Sequence, residues 1–562
     1  MPHLDWIGKK AIVNHHNEIH YRLLNADMEK SVRPEASNGN MLIHGDNLYA
    51  IKALLPHYAG KCKFVYIDPP YNTGGDNQLW IYNDQVDDPE IREWLNKVVG
   101  KDMEDLSRHD KWLCMMYPRL QLLKKLLRED GFICVQIDDN EAANLKAIMD
   151  EIFLPSNYLT TIYVQVRYSE KTLTQDMSFH KQIEQILVYR RSPKAKPRLK
   201  EQEYNYDKFK FYIREKGPGR EITLGDKKVV VFNPEEYEIT QGEPSVNGLK
   251  EIWATGTILN GNSSGRFFRD YLAGRKDEDG LGVMYKVYDI GDDALNYRYF
   301  TGPKRANATK GKYYQGVPVD KIEDGEGGEG EVITETPIPN FYDMAGDFGN
   351  CRHEGGVEFN SGKKPEKLLA ILLKHFSEEG DIVVDSFGGS GTTAAVALKM
   401  KRRFITVELG DHAYTHTLKR LTSVANGEDN TGVTEEFGWE GGSGFTFCEL
   451  GDSLFDAFGL IKENVTYQDL ARHVFFTETG EPLGDITGNQ ANYIGSGKGN
   501  LYYLYFNEGG DDTYLTQEIV ESLPEFDGRI RVIFANGCKV SSLYLEEHGI
   551  IFKQIPYEIK VK

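Results

Sequence analysis

The chain is poor in cysteine, and what it has is scattered. Cys62, Cys114, Cys134, Cys351, Cys448 and Cys538 form no C-x-x-C pair, which excludes a zinc ribbon and leaves no framework for structural disulfides. Long apolar runs are missing too. With 27% charged residues against 40% hydrophobic ones, no stretch approaches the roughly twenty apolar residues a membrane-crossing helix requires, and residues 1–10 are too polar for the core of a signal peptide. A soluble protein of the reducing cytoplasm is expected. Positive charge is in deficit: 66 Lys and Arg against 86 Asp and Glu leave −20, which argues against a chain that coats polyanions nonspecifically. Metal chemistry also lacks support. His16 and His20 are spaced to share a helical face, but no third ligand accompanies them, so no metal site is expected.

What is present is an interrupted α/β rhythm over 562 residues, more than one hydrophobic core accommodates. Residues 1–39 are polar and helical in character. From 40 to 190 strands and helices alternate: strands at 41–44, 63–67, 132–137 and 182–189, helices at 48–55, 112–129 and 141–153. From 191 to 350 the text becomes Gly-, Pro- and aromatic-rich, and an irregular domain is expected. Eleven Lys and Arg against four acids fall in 190–220, and five against none in 298–312, interleaved with residues such as Tyr204, Phe209 and Tyr299. That mixture suits a nucleic-acid-facing surface on an otherwise acidic body. The Gly/Glu run at 323–331 reads as a linker. The rhythm returns from 351 to 427, with a helix at 365–376, a strand at 381–384, a helix at 392–399 and a strand at 403–407. Residues 428–562 read as a C-terminal α/β module with strands at 501–506, 530–534 and 550–554, a candidate docking platform for a second subunit.

Two motifs carry chemistry. In the first, the strand at 381–384 runs into Asp385-Ser386-Phe387-Gly388-Gly389-Ser390-Gly391 and then a helix. Glycines there let the backbone approach a cofactor, and Glu408, ending the next strand, lies where an acid accepts both ribose hydroxyls. No phosphate-binding Lys follows, which excludes a P-loop. A nucleoside cofactor is implied, yet Gly389 to Ala394 also satisfies the dinucleotide pattern G-x-G-x-x-A, so a nicotinamide dehydrogenase stays open. In the second, Asp68-Pro69-Pro70-Tyr71 ends a buried strand. An exocyclic base amine is a poor nucleophile because its lone pair is delocalised. Accepting its two N–H bonds with the Asp68 carboxylate and the carbonyl of Pro69 or Pro70 aims the lone pair at an electrophile, and the Tyr71 ring offers an extruded base a stacking face.

With both motifs in place, the chain resembles the β-class DNA amino-methyltransferases, most closely the modification (Mod) subunits of type III restriction-modification systems. D-P-P-Y precedes a divergent recognition region, which precedes F-x-G-x-G. The likeness also covers Trp6 to Lys9, Asn14-His15-His16, His44 to Leu48, the D-P-P-Y-N-T-G run to Gly74, Tyr117 to Leu120, Ile137 to Glu141 and Lys364-Pro365. It implies a permuted, doubly wound (Rossmann-like) α/β core that binds S-adenosylmethionine, with a catalytic half at 40–190 and a donor half at 351–427. A target-recognition domain at 191–350 would be inserted between them. By the same likeness Phe387, Gly389 and Gly391 line the donor pocket, Asp385 meets the methionine amino group and Glu408 the ribose. Asp46 would contact the donor adenine, Lys364 and Pro365 its methionine end, and Asp68, Pro69, Pro70 and Tyr71 the target base.

The resemblance further implies site-specific methylation of adenine N6 in double-stranded DNA after base flipping, by direct in-line displacement. Cytosine N4 is the alternative target, and a noncatalytic DNA-binding or assembly subunit the alternative role. A homodimer and a helicase-nuclease (Res) partner are implied by the family. Because the motifs stand far apart in the chain, the two pockets are expected at opposite ends of one sheet.

Overall fold

The computed structural model describes residues 4–72, 108–170, 179–254, 264–291, 293, 295–319, 333–359, 362–456, 459–484, 492–509 and 512–555. The expected linker at 323–331 and the Thr73-Gly74 end of the D-P-P-Y run lie outside them. Two compact units emerge, one formed by Met1–Arg198 with Pro339–Lys562, the other by Leu199–Ile338.

The first unit is built on a ten-stranded sheet. Its strands are β1 (Arg22–Val32), β2 (Met41–His44), β3 (Cys62–Ile67), β4 (Leu127–Ile137), β5 (Tyr158–Gln165), β6 (Ile183–Arg190), β7 (Phe341–Asp343), β8 (Ile382–Asp385), β9 (Arg403–Glu408) and β10 (Phe445–Ser453). In space they run β1-β10-β2-β9-β8-β3-β4-β6-β5-β7. The six from β10 to β4 are parallel to one another, while β1 and β6 run antiparallel to the strands beside them. Central strands of this kind read as nearly continuous Val, Ile and Phe because both faces are covered. Alternation decides which face each side chain enters. Ile43, Val65, Val135, Val384 and Ile405 pack beneath helices α1 (Asn47–Tyr58), α2 (Arg108–Leu126) and α3 (Ala142–Phe153). Leu42, Phe64, Phe132, Val383 and Phe404 pack beneath α4 (Glu366–Phe376), α5 (Thr392–Lys399) and α6 (Leu418–Asn426).

The chain leaves β3 toward β4 on one side and leaves β8 toward β9 on the other. The order of strand addition therefore reverses between β8 and β3, which pair directly in parallel, Val384 beside Val65. Crevices at the carboxyl ends of such a switch point are where open α/β sheets bind ligands. This corrects the expectation of opposite ends: the strands carrying the two motifs are nearest neighbours in mid-sheet, because parallel crossovers separate chain order from spatial order.

Two further expectations change. Among the described residues the amino-terminal segment forms α-helix at Lys9–Ile12 and His15–Glu18 and a single 3-10 turn at Pro34–Ala36, and between them β1 pairs with β10 along the edge of the sheet. Polar alternation on an edge strand imitates the polarity of a solvated helix. Beyond residue 427, β10 is a core strand and only the chain after it forms a separate layer. There a four-stranded sheet (Tyr493–Gly497, Asn500–Leu504, Arg531–Ala535, Ile550–Gln554) is joined to the core through helix α7 (Tyr467–Thr479), which packs on α1.

The second unit is not irregular. Eight short antiparallel strands form one sheet, in the order Tyr237–Gln241, Phe209–Glu215, Leu249–Ala254, Gly311–Gln315, Tyr297–Thr301, Met284–Tyr288, Lys227–Phe232 and Arg220–Leu224. Its basic residues alternate with aromatic and β-branched ones along strands of five to seven residues, too short to set up a visible rhythm. Among the described residues no helix is long and apolar enough to cross a membrane.

Candidate active site

Strand β3 ends at Ile67, so Asp68 emerges at the switch point, and continuing the β3/β8 register places it beside Phe387. Asp68 meets Lys364, whose Nζ lies 2.6 Å from Oδ2, while the Tyr71 hydroxyl lies 2.7 Å from Oδ1. The same hydroxyl is 2.8 Å from Oε2 of Glu184, a residue of β6 two strands away. Behind it, Gln136 donates from Nε2 to Glu184, and the buried Tyr66 hydroxyl donates to Gln136 Oε1. The prolines are held as well: the Trp112 indole N–H donates to the Pro70 carbonyl at 2.7 Å, and Pro69 is buried. Lys364 Nζ also stands 5.3 Å from the centre of the Tyr71 ring.

This cluster has a defined electrostatic character. Burial pushes the Asp68 carboxyl above its ordinary range; Lys364 pulls it back and Glu184 raises it again. Burial lowers Lys364, but the Asp68 and Glu184 carboxylates outweigh it and hold the ammonium charged. The result is a cation shared by two enclosed carboxylates.

The glycine turn lies across from it. Asp385, 4% exposed at the end of β8, accepts from the Phe387 N–H at 2.9 Å and from the Thr393 hydroxyl at 2.6 Å. Burial lifts its carboxyl to about 7, with Asp68 and Glu408 adding to the rise. Phe387 is buried. Gly389 (φ 52°) and Gly391 (φ 76°) are left-handed, and a side chain at Gly388 would strike Thr406 Oγ1 at 2.5 Å. The turn thus requires glycine by conformation at two positions and by space at a third. Glu408, ending β9, ties it down: Oε2 accepts from the Gly389 N–H at 2.7 Å and Oε1 from the Gly410 N–H at 3.1 Å.

Asp46 caps α1, accepting from the Leu48 N–H at 2.7 Å, and is clamped by Arg119 Nη2 at 3.0 and 3.2 Å. Asn47 next to it donates to the Ser386 carbonyl at 2.7 Å, tying the start of α1 to the end of β8. Pro365 caps α4, so Lys364 sits in the turn before that helix. Strand ends β2, β3, β8 and β9 and the start of α4 therefore bring Asp46, Asp68, Lys364, Asp385 and Glu408 to the carboxyl edge of one sheet.

Local sequence did not single out Glu184, Gln136 or Arg119. Glu184 is one acid in a strand that otherwise reads as buried β text, and its only signal is that polarity. His20 follows the short helix that carries His16, and among the described residues no group of three or more His, Cys, Asp or Glu side chains is placed to hold a metal ion.

The family model described as DNA methylase matches residues 62–419, from the start of β3 into α6. The chain belongs to that DNA methylase family. Membership sets aside the nicotinamide reading of the glycine turn. Among relatives, the chain is 30% identical over 440 residues to a probable type III restriction-modification enzyme HindVI Mod subunit of Haemophilus influenzae, covering 73% of this chain and 54% of that one. It is 28% identical over 410 residues to the StyLTI Mod subunit of Salmonella typhimurium (71% and 56%). It is likewise 28% identical over 414 residues to the EcoPI Mod subunit of Escherichia phage P1 (70% and 60%). The chain thus spans between about half and three-fifths of the length of these relatives.

Proposed function

We propose that the chain is the methylating subunit of a type III restriction-modification system and transfers a methyl group from S-adenosylmethionine to N6 of a flipped adenine in double-stranded DNA. The observation that carries the reading is the adjacency of β3 and β8, which sets the Asp68 carboxylate and the Phe387–Gly391 turn side by side at the switch point. Those residues fit the donor. A left-handed glycine turn admits a nucleoside against the backbone, Glu408 offers carboxylate oxygens toward a ribose, and Asp385 offers one toward an ammonium. Asp46 and Phe387 would flank the adenine, with Lys364 and Pro365 toward the methionine end. When bound, S-adenosylmethionine supplies an electrophilic sulfonium methyl.

The chain's own residues prepare the nucleophile. Asp68 and the Pro69 or Pro70 carbonyl accept the two amino N–H bonds, drawing the nitrogen lone pair out of conjugation, and Tyr71 stacks on the base. After transfer the amino nitrogen carries one proton too many, and Asp68, whose carboxyl is more basic than an ordinary aspartate, is the acceptor in contact with it. The β-sheet of the second unit, with its basic and aromatic strands, is the natural reader of sequence. A homodimer and a helicase-nuclease partner belong to the same proposal, and the relatives' designation as Mod subunits of restriction-modification enzymes supports a partner subunit.

Long-read sequencing of a methylation-free bacterial host expressing the chain tests the proposal. N6-methyladenine at a fixed motif is expected, N4-methylcytosine would reassign the base, and an unmodified genome would count against the enzyme altogether. Asp68→Ala is expected to lower methyl transfer by about a hundredfold or more while DNA binding by gel shift is kept.

A further inference from the structure

The Tyr71 hydroxyl has one proton and two carboxylates within reach, Asp68 Oδ1 at 2.7 Å and Glu184 Oε2 at 2.8 Å. It can donate to only one at a time. While it donates to Asp68, that oxygen is occupied by a phenol and its partner oxygen by Lys364 at 2.6 Å. An incoming amino group competes with both for the carboxylate lone pairs, and a hydroxyl turned off Asp68 inside an enclosed site loses a charge-assisted hydrogen bond unless a second acceptor is at hand.

We propose that Glu184 is that acceptor, a positioning residue that takes the Tyr71 hydroxyl when the target base enters and so frees Asp68 Oδ1 for the amine. This rests on the function proposed above and adds a residue to it. Three features of the site suit the role. The two distances are equal within 0.1 Å, so the proton changes partner without the ring moving. Glu184 is fixed by β6 and by Gln136 Nε2, itself held by the Tyr66 hydroxyl, so the waiting oxygen stays in place. Lys364 Nζ lies 3.8 Å from the same Oε2, so one ammonium stands near both carboxylates whichever of them the hydroxyl faces. The ring stays put while its proton changes partner, so the stacking surface remains set for the base.

A double-mutant cycle on the full chain separates this role from a structural one. The assay is methyl transfer from tritiated S-adenosylmethionine to genomic DNA of a methylation-free host, with donor affinity by calorimetry as the folding control. Glu184→Ala is expected to lower kcat about tenfold with KM for DNA changed less than about twofold, the loss of one charge-assisted hydrogen bond at the reacting stage. Combined with Tyr71→Phe, which has no proton to relocate, the same substitution is expected to cost less than about threefold further. Equal losses in both backgrounds, or no loss in either, overturn the inference. Should Glu184→Ala fail to bind the donor, Glu184→Gln, which keeps an acceptor oxygen without the charge, is expected to show a smaller loss that again depends on Tyr71; a loss independent of Tyr71 overturns it. Absence of methyl transfer by the unsubstituted chain overturns the proposed function and this inference together, whereas active enzyme with additive losses overturns the inference alone.

Discussion

Asp385 shows how one side chain couples the site to pH. Its carboxyl is lifted to about 7 by burial, against the pull of the Thr393 hydroxyl and the Phe387 N–H. In the unfolded chain it ionises in the ordinary carboxylate range, so the empty site gains stability from it at low pH and loses that as pH rises through 7. A donor ammonium needs the carboxylate, so its affinity runs the other way. Binding of S-adenosylmethionine is expected to strengthen as pH rises through 7 and to be about tenfold weaker at pH 6 than on the plateau above pH 8. Calorimetry at several pH values reads this, and Asp385→Asn is expected to bind weakly without that slope; a flat profile for the unsubstituted chain would remove Asp385 from the ammonium's partners. Asp385 was legible because a glycine turn follows it, and Asp68 because two prolines do. Glu184 was not, since its importance comes from Tyr71 and Lys364, 113 and 180 residues away along the chain.

At the scale of elements, the glycine turn is supported from beneath by charges that no local pattern reveals. Glu366 at the start of α4 is fully buried and accepts from Lys399 of α5 at 2.7 Å and from Arg420 of α6 at 2.7 Å. Lys399 also meets Asp429 at 2.6 Å, and Arg420 Nη1 reaches the Thr392 hydroxyl at 2.8 Å and the Ser390 carbonyl at 3.3 Å. Three helices and the turn are thus tied by groups that are each costly if left alone. Glu366→Ala is expected to destabilise the chain by about 3 kcal/mol or more in urea unfolding, because buried Arg420 loses its carboxylate partner and buried Lys399 one of its two, and Glu366→Gln to cost less. A loss under about 1 kcal/mol for the alanine variant would show that water replaces the carboxylate. Sequence rhythm placed α5 at its observed bounds and α4 to within one residue, because apolar spacing and the Pro365 start are local signals. It did not anticipate that the basic middle segment is an eight-stranded sheet, where strands of five or so residues pair through contacts distant in the chain.

For the whole molecule, the decisive feature is that two distant stretches share one sheet. The order of motifs gave the class of protein but not their adjacency, which depends on how crossovers distribute strands about β3 and β8. The same interleaving buries the amino-terminal segment and the carboxyl-terminal layer against the core, and with them His16 and His473 are buried and His57 half-buried. Burial pulls His473 of α7 down to about 3, aided by Lys52, and His57 of α1 to about 4, where Arg472 lowers it and Asp469 opposes. His16 falls to about 4 through burial, Lys125 and Lys52. All three bind protons more readily unfolded, so their contribution is intact above about pH 6.5 and is lost as pH falls toward 4. Asp385, and with it Asp68, Asp138 and Glu354, whose carboxyls burial also raises, work in the opposite direction over part of the same range, while Lys52, whose ammonium burial lowers to about 7, acts with the histidines. The thermal midpoint of the full chain is therefore expected to fall by about 5 °C or more between pH 7.5 and 5.5. His473 stacks edge-on to Tyr21 and Phe455 with ring centroids 4.7 and 5.4 Å away, and neither ring nitrogen has a hydrogen-bond partner among the described residues. An aromatic ring that cannot titrate fits those neighbours, so His473→Phe is expected to flatten the pH dependence while leaving the midpoint at pH 7.5 nearly unchanged. Scanning calorimetry at the two pH values decides it: an equal fall in both proteins would mean that this interior histidine is hydrated and protonates in place.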